Sequence, residues 1–177
     1  MNQLNHLPHF WFLLFPATYL IHVLEEYYGG SSRKVSNNKV AGTNVSQVQF
    51  VLFNGIGIGL MLVGFVIART DGFVNWLSVM LSTVVLVNGI SHTYATLSRR
   101  EYNPGFISGI LVWVPLGIVT LYRLSHNMPA KRFIVPALVG LAVQVTVSLI
   151  SRNGDVLWGA SLTLGTSIDE SQSAPKA

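Results

Sequence analysis

Long uncharged runs, rather than alternation, dominate this chain. Apolar residues follow one another from about Phe10 to Tyr28, Val48 to Ala68, Phe73 to Leu97, Pro104 to Tyr122 and Phe133 to Ile150. A helix needs roughly 20 mostly apolar residues to cross a hydrocarbon core about 30 Å thick. These five stretches meet or nearly meet that length; the fifth is short but free of charge. Strands of a β-barrel would show short alternating segments instead, and these runs are too long and too continuous. The predicted fold is all-α, a polytopic membrane helix bundle with about five transmembrane helices.

Polar punctuation fits that division. "YYGGSSRK" closes the first run with interfacial tyrosines and two helix-breaking glycines. "YNPG" (Tyr102 to Gly105) reads as a helix start, with Asn103 as the cap and Pro104 in the first turn. "NMPAKR" separates the fourth and fifth runs. The chain thus divides into a bundle over residues 1–152 and a polar, flexible tail over 153–177. "NGIGIG" (Asn54 to Gly59) resembles half of a dinucleotide-binding fingerprint, but no strand–turn–helix unit surrounds it. Gly55 and Gly59 are expected to form a close helix contact of the small-xxx-small type.

Composition supports the membrane reading. Half of the 177 residues are apolar and 10% are charged, against about 25% charged in ordinary soluble domains. The mean hydropathy is +0.50. There is no cysteine, so disulfides, thiolate catalysis and thiolate metal sites are excluded together. The net charge of +4 is spread over loops, and no basic run points to nucleic acid. Lipids and an apolar small molecule are the expected partners; oligomerisation is left open. The N-terminus lacks the basic flank and cleavage site of a signal peptide, so the first span is expected to stay in the mature protein. On the side where the first span ends lie Arg33, Lys34, Lys39, Arg99, Arg100, Arg152 and Lys176; on the other lie Arg69, Arg123, Lys131 and Arg132. That imbalance favours a multi-pass protein with the N-terminus outside and the C-terminus cytoplasmic. The glycosylation triplet Asn44 to Ser46 then falls on the cytoplasmic side, where it is unused.

Against this background the stretch "HVLEE", His22 to Glu26, stands out. His22 lies roughly 9 Å before the end of the first span, and His92 roughly 8 Å before the end of the third. Asn54 and Gln144 fall at a similar depth in the second and fifth spans. Thr18, His22 and Glu26 form one line at i, i+4, i+8, and Asn88, His92 and Thr96 form another. Glu25 and Glu26 flank the direction of His22, one on each side. Ionisable groups at such depth are costly, face the bundle interior and usually mark function. A plainer alternative ends the first helix at Leu24 and leaves both glutamates among headgroups. Asn54, Asn88 and Gln144 read as supporting hydrogen-bond partners between helices. His6, His9 and His126 read as interfacial. Trp76, Trp113 and Trp158 read as interfacial anchors or aromatic surfaces.

"HVLEE" has the form H-x-x-E-E. In motif, motif position and span number, the chain resembles the HXXEE-domain family of small multi-span proteins over about residues 10 to 150. The resemblance marks His22, Glu25 and Glu26 as the residues of interest and implies no particular chemistry.

Three chemistries suit these residues. The first is a metal-dependent enzyme in which His22, His92, Glu26 and Glu25 hold one zinc or iron ion for hydrolysis or oxygen chemistry. A full di-iron set is not expected, because few acidic residues remain; Glu101 is a secondary ligand candidate and Asp155 a more distant one. The second is a metal-free isomerase or cyclase using Glu25 and Glu26 as acid and base, with His22 or His92 orienting one of them. Either would act on a lipidic or isoprenoid-like substrate, and both place catalysis on His22, Glu25 and Glu26. The third is a proton-coupled transporter or a structural membrane subunit; no internal repeat supports a transporter.

Overall fold

The computed structural model describes residues 9–29, 47–68 and 70–169. Every regular element among them is helical: α1 (His9–Phe12), α2 (Leu14–Gly29), α3 (Gln47–Ile67), α4 (Asp71–Arg99), α5 (Phe106–Ser108), a π-helical turn (Gly109–Trp113), α6 (Val114–Ser125) and α7 (Ala130–Asp169). Among the described residues, four segments are long and apolar enough to cross a membrane: Val48–Ile67, Gly72–Arg99, Phe106–Ser125 and Ala130–Ser151. The fold is an all-α membrane helix bundle.

The first expected span departs from a plain helix. It is split at Leu13 into α1 and α2. Pro16 is the cause, because it has no N–H for the carbonyl of Phe12 and its ring crowds that carbonyl. The chain turns there through a bond from the Leu13 N–H to the Phe10 oxygen, 3.0 Å. The Trp11 indole N–H donates to Thr120 Oγ1 at 2.9 Å, and the Arg123 guanidinium sits over the Trp11 ring. These contacts tie α1 to the far end of α6 and set where α2 enters the bundle.

α4 is the central helix and packs against α6 and α7. Phe12, Phe15, Val74, Leu81, Val85, Trp113 and Leu116 form the main buried cluster. The outer faces remain apolar: Val48, Leu52, Ile56, Leu60 and Val63 on α3 are exposed. Such a continuous apolar surface suits contact with lipid tails rather than water.

Glycines set the closest helix approaches, though not those expected. A Cβ at Gly55 or Gly59 would meet nothing within 4 Å, so this pair makes no close contact among the described residues. Gly57 instead lies against Tyr19 and Gly64 against Leu77. The tight crossings are those of α4 with α7, where Gly140 lies against the Met80 carbonyl, and of α4 with the α5–α6 segment. A Cβ on Gly89 would come within 2.9 Å of the Gly109 carbonyl oxygen, and one on Gly117 within 2.8 Å of Leu86 Cβ.

The fourth span also starts differently. Helix begins at Phe106, after a turn in which the Phe106 N–H donates to the Asn103 oxygen at 3.0 Å. Gly105 has φ 89° and ψ −5°, the third position of a type II turn that Pro104 precedes, where glycine is favoured. α7 has a non-helical residue at Asn153, where the tail was expected to begin. Helical backbone nonetheless continues to Asp169 through that stretch. His6, Arg33, Lys34, Lys39, Arg69, the Asn44–Ser46 triplet and residues 170–177 lie outside the described residues.

The crossing predicts a ranking. Gly89→Ala should destabilise the detergent-solubilised protein by about 1–3 kcal/mol, the range for overpacking, because a backbone carbonyl cannot move aside cheaply. Gly59→Ala should stay within about 0.5 kcal/mol. Thermal unfolding of the two variants checks this, and the reverse order would contradict the crossing.

Candidate metal centre

Helix geometry brings the polar groups together before any chemistry is invoked. His22 and Glu26 are four residues apart on α2 and share a face. His92 arrives from α4. Glu26 Oε1 lies 3.6 Å from His22 Nε2 and 3.2 Å from His92 Nε2. The two imidazoles stand edge to face, with centroids 5.0 Å apart. One ligand atom from each of His22, Glu26 and His92 lies within 4.8 Å of the others. Access is uneven: the His22 side chain is 1% exposed, those of His92 and Glu26 15% and 19%.

The opposite ring nitrogens are both engaged. His22 Nδ1 is 2.7 Å from Ser108 Oγ, and His92 Nδ1 is 2.7 Å from the Asn103 side-chain amide. With Nδ1–H donated to Ser108, the Nε2 of His22 keeps a lone pair aimed at the cluster. That atom is buried and has no hydrogen-bond partner among the described residues. As placed, the Asn103 amide nitrogen donates to His92 Nδ1, leaving Nε2–H to face Glu26. Rotating the amide by half a turn presents its oxygen instead and frees Nε2 as a ligand.

A shell of aromatic and small residues holds these rings. Trp113 is fully buried and stacks on His22 with centroids 3.6 Å apart and planes 25° apart. It therefore lines the site rather than anchoring the span at an interface. Tyr19 stacks on the same indole and donates to Asn54 Oδ1 at 2.7 Å. Gly105 sits between the imidazoles: an added Cβ would come within 2.7 Å of His22 Cε1 and 2.8 Å of His92 Cε1.

Glu25 is outside the group of three. Its Oε1 accepts from the Tyr102 hydroxyl at 2.6 Å and the Ile107 N–H at 2.9 Å, and its Oε2 from the Ser108 N–H at 2.7 Å. The Tyr102 phenol, in the loop outside the spans, is pushed up to about 12 from 10.0, first by desolvation and then by this carboxylate. The neutral phenol is thus the favoured form when folded. Its stabilisation is complete below pH 10 and is lost only as pH rises from 10 toward 12.

The expected supporting layer is only partly assembled. Asn54 supports the site through Tyr19. Asn88 is half-buried on α4 with no hydrogen bond to the three ligands among the described contacts. Gln144 is buried, but its amide donates to Ser148 within α7 at 3.3 Å. Thr18 bonds its own helix backbone, whereas Thr96 Oγ1 accepts the Asn103 N–H at 3.2 Å and steadies the loop. Glu101 is exposed and outside the group of three. Asp155 has no described side chain. Ser108, Tyr102 and Gly105 were not foreseen as site residues, nor was Asn103, which was expected only as a helix cap. The Pro104–Gly105 turn was the one local signal available; nothing around Ser108 marked it.

Gly105→Ala tests the wedge. It should cost about 1–3 kcal/mol, the range for a side chain held at positive φ, and shift the ε1 proton resonances of both histidines. Unchanged histidine resonances would mean the loop does not reach the rings.

The chain is 25% identical over 96 residues to "Uncharacterized protein YrkK" of Bacillus subtilis (strain 168), covering 52% of this chain and 61% of that protein. It therefore spans about three fifths of that relative's length. No solved structure matches it. A family model described as "Protein of unknown function with HXXEE motif" matches residues 13–120. That segment contains His22, Glu25, Glu26, His92, Asn103, Gly105 and Ser108 and excludes α7. On this match the chain belongs to the HXXEE family.

Proposed function

We propose that this protein is a membrane-embedded, metal-dependent enzyme that holds one zinc or iron ion with His22, Glu26 and His92 and acts on an apolar, lipid-like substrate. One observation carries the reading. Two imidazole Nε2 atoms converge on one carboxylate oxygen while both Nδ1 atoms are held by other groups. The 3.2 and 3.6 Å separations compare with about 3.3 Å between neighbouring ligands around a tetrahedral zinc with bonds near 2.0 Å. The buried, unpartnered Nε2 of His22 is an unsatisfied acceptor that a cation would satisfy.

Two histidines and one carboxylate suit catalytic zinc, which activates water for hydrolysis, and equally non-haem iron, which supports oxygen chemistry. The chain's own residues do the rest. Ser108 and Asn103 orient the imidazoles, and such outer partners raise ligand basicity and fix the tautomer. Trp113 closes the face of His22 to water. His22 and His92 each lie seven residues before the end of their helix, about 10 Å along its axis. That depth favours a substrate partitioned into the bilayer. On the loop charges, this end of the bundle is assigned to the cytoplasmic side.

The competing chemistries find less support. An acid–base pair needs Glu25 free, and its oxygens already accept three hydrogen bonds. A proton path needs titratable groups through the membrane, and the charged residues of the candidate spans, Arg99, Arg123, Lys131 and Arg132, all lie near span ends.

Metal analysis of detergent-purified protein, prepared without chelators and then offered zinc or ferrous iron, tests the proposal. About one ion per chain is expected. His22→Ala should weaken binding by more than about 100-fold, beyond the 10–100-fold typical of losing an outer partner. Wild-type protein that takes up neither ion would overturn the reading.

A further inference from the structure

We infer that Glu25 is a positioning residue: from α2 it clamps the 102–108 segment and so places Asn103, Gly105 and Ser108 against the two histidines. The inference deepens the metal-centre reading and rests on it only for one of the two readouts below.

The start of α5 needs a cap it does not have locally. Helix N-termini leave backbone N–H groups without partners, and a nearby side chain normally accepts from them. Gly105 holds the capping position and offers no side chain. Asn103, the nearest polar alternative, gives its amide to His92. The Ile107 and Ser108 N–H groups turn instead to the Glu25 carboxylate on another helix, at 2.9 and 2.7 Å. A carboxylate is an acceptor on both oxygens, and charge-assisted bonds of this kind are short and strong. Tyr102 adds the third bond at 2.6 Å, so Glu25 grips both ends of the segment.

Everything the loop brings to the site lies between those ends. Asn103 reaches His92 Nδ1, Gly105 fills the gap between the rings, and Ser108 reaches His22 Nδ1. Ser108 links the two networks directly, with its N–H on Glu25 and its hydroxyl on His22. Release of the clamp would therefore loosen both imidazoles without removing a ligand.

The test uses the full chain in detergent, with zinc alone as the probe. Zinc affinity is measured by competition with a chromophoric chelator, and deuterium uptake over residues 102–109 is measured by mass spectrometry. Glu25→Ala should weaken zinc about 10–100-fold, keep a stoichiometry of one, and raise uptake over 106–108. Tyr102→Phe, which removes one bond of three, should move both readouts the same way but less. Glu26→Gln should abolish zinc binding and leave the uptake unchanged. Glu25→Ala with wild-type uptake would overturn the clamp, whatever its zinc affinity. If wild-type protein binds no zinc, the uptake contrast between Glu25→Ala and Glu26→Gln still decides the clamp. If Glu25→Ala does not fold, Tyr102→Phe and Glu25→Gln carry the same comparison.

Discussion

A histidine buried among helices must have a use for both ring nitrogens, and His22 sets that demand on everything around it. Its side chain is 1% exposed, so water does not reach the ring to satisfy it. An unpaired polar atom in such a place costs about 1–3 kcal/mol. Nδ1 finds Ser108, which requires α5 to lie against α2. The ring face finds Trp113, which requires the π-helical turn to lie beside α2. Nε2 finds only the space shared with Glu26 and His92. The site is thus built by meeting one residue's requirements from three different elements.

The spacing of the motif follows from the same demand. At 3.6 residues per turn, each residue advances about 100° around the helix. Relative to His22, Glu25 therefore stands about 60° to one side and Glu26 about 40° to the other. Two adjacent carboxylates are thereby aimed at different neighbours. Glu26 turns to α4 and its histidine; Glu25 turns to the 102–108 segment. A single carboxylate could not reach both, and two on one side would repel across the site. The H-x-x-E-E pattern is an economical way to fasten one helix to two partners around a shared imidazole.

This explains what the sequence could disclose. The helical class was legible because apolar runs of near-spanning length allow few other folds. His22, Glu26 and His92 were legible because ionisable residues are rare enough in such runs to stand out individually. Glu25 was legible as a residue of interest but not by role, since periodicity gives direction around the helix and not the identity of what waits there. Ser108 was hidden because serine is common in membrane helices; only the packing of the distant segment α5 against α2 makes it a partner of His22. Gly55 and Gly59 misled for the converse reason. A small-xxx-small pattern states that close approach is permitted, and the approaches occur instead at Gly89, Gly109, Gly117 and Gly140, where they take in backbone of α4.

The π-helical turn shows how the bundle keeps that second contact in line. Gly109 and Gly117 both face α4, yet eight residues of regular α-helix would rotate them about 80° apart. Pro115 has no N–H for the Leu111 carbonyl, so the ladder must loosen nearby. It does so by a longer bond, from the Val114 N–H to the Gly109 oxygen. The turn acts as a one-residue insertion. Counted as seven effective residues, the two glycines fall within about 20° of one face. Without that correction the segment could seat either Gly109 on Gly89 or Gly117 on Leu86, but not both. Gly109 immediately follows Ser108, so the register that satisfies the helix crossing also decides whether a hydroxyl reaches His22.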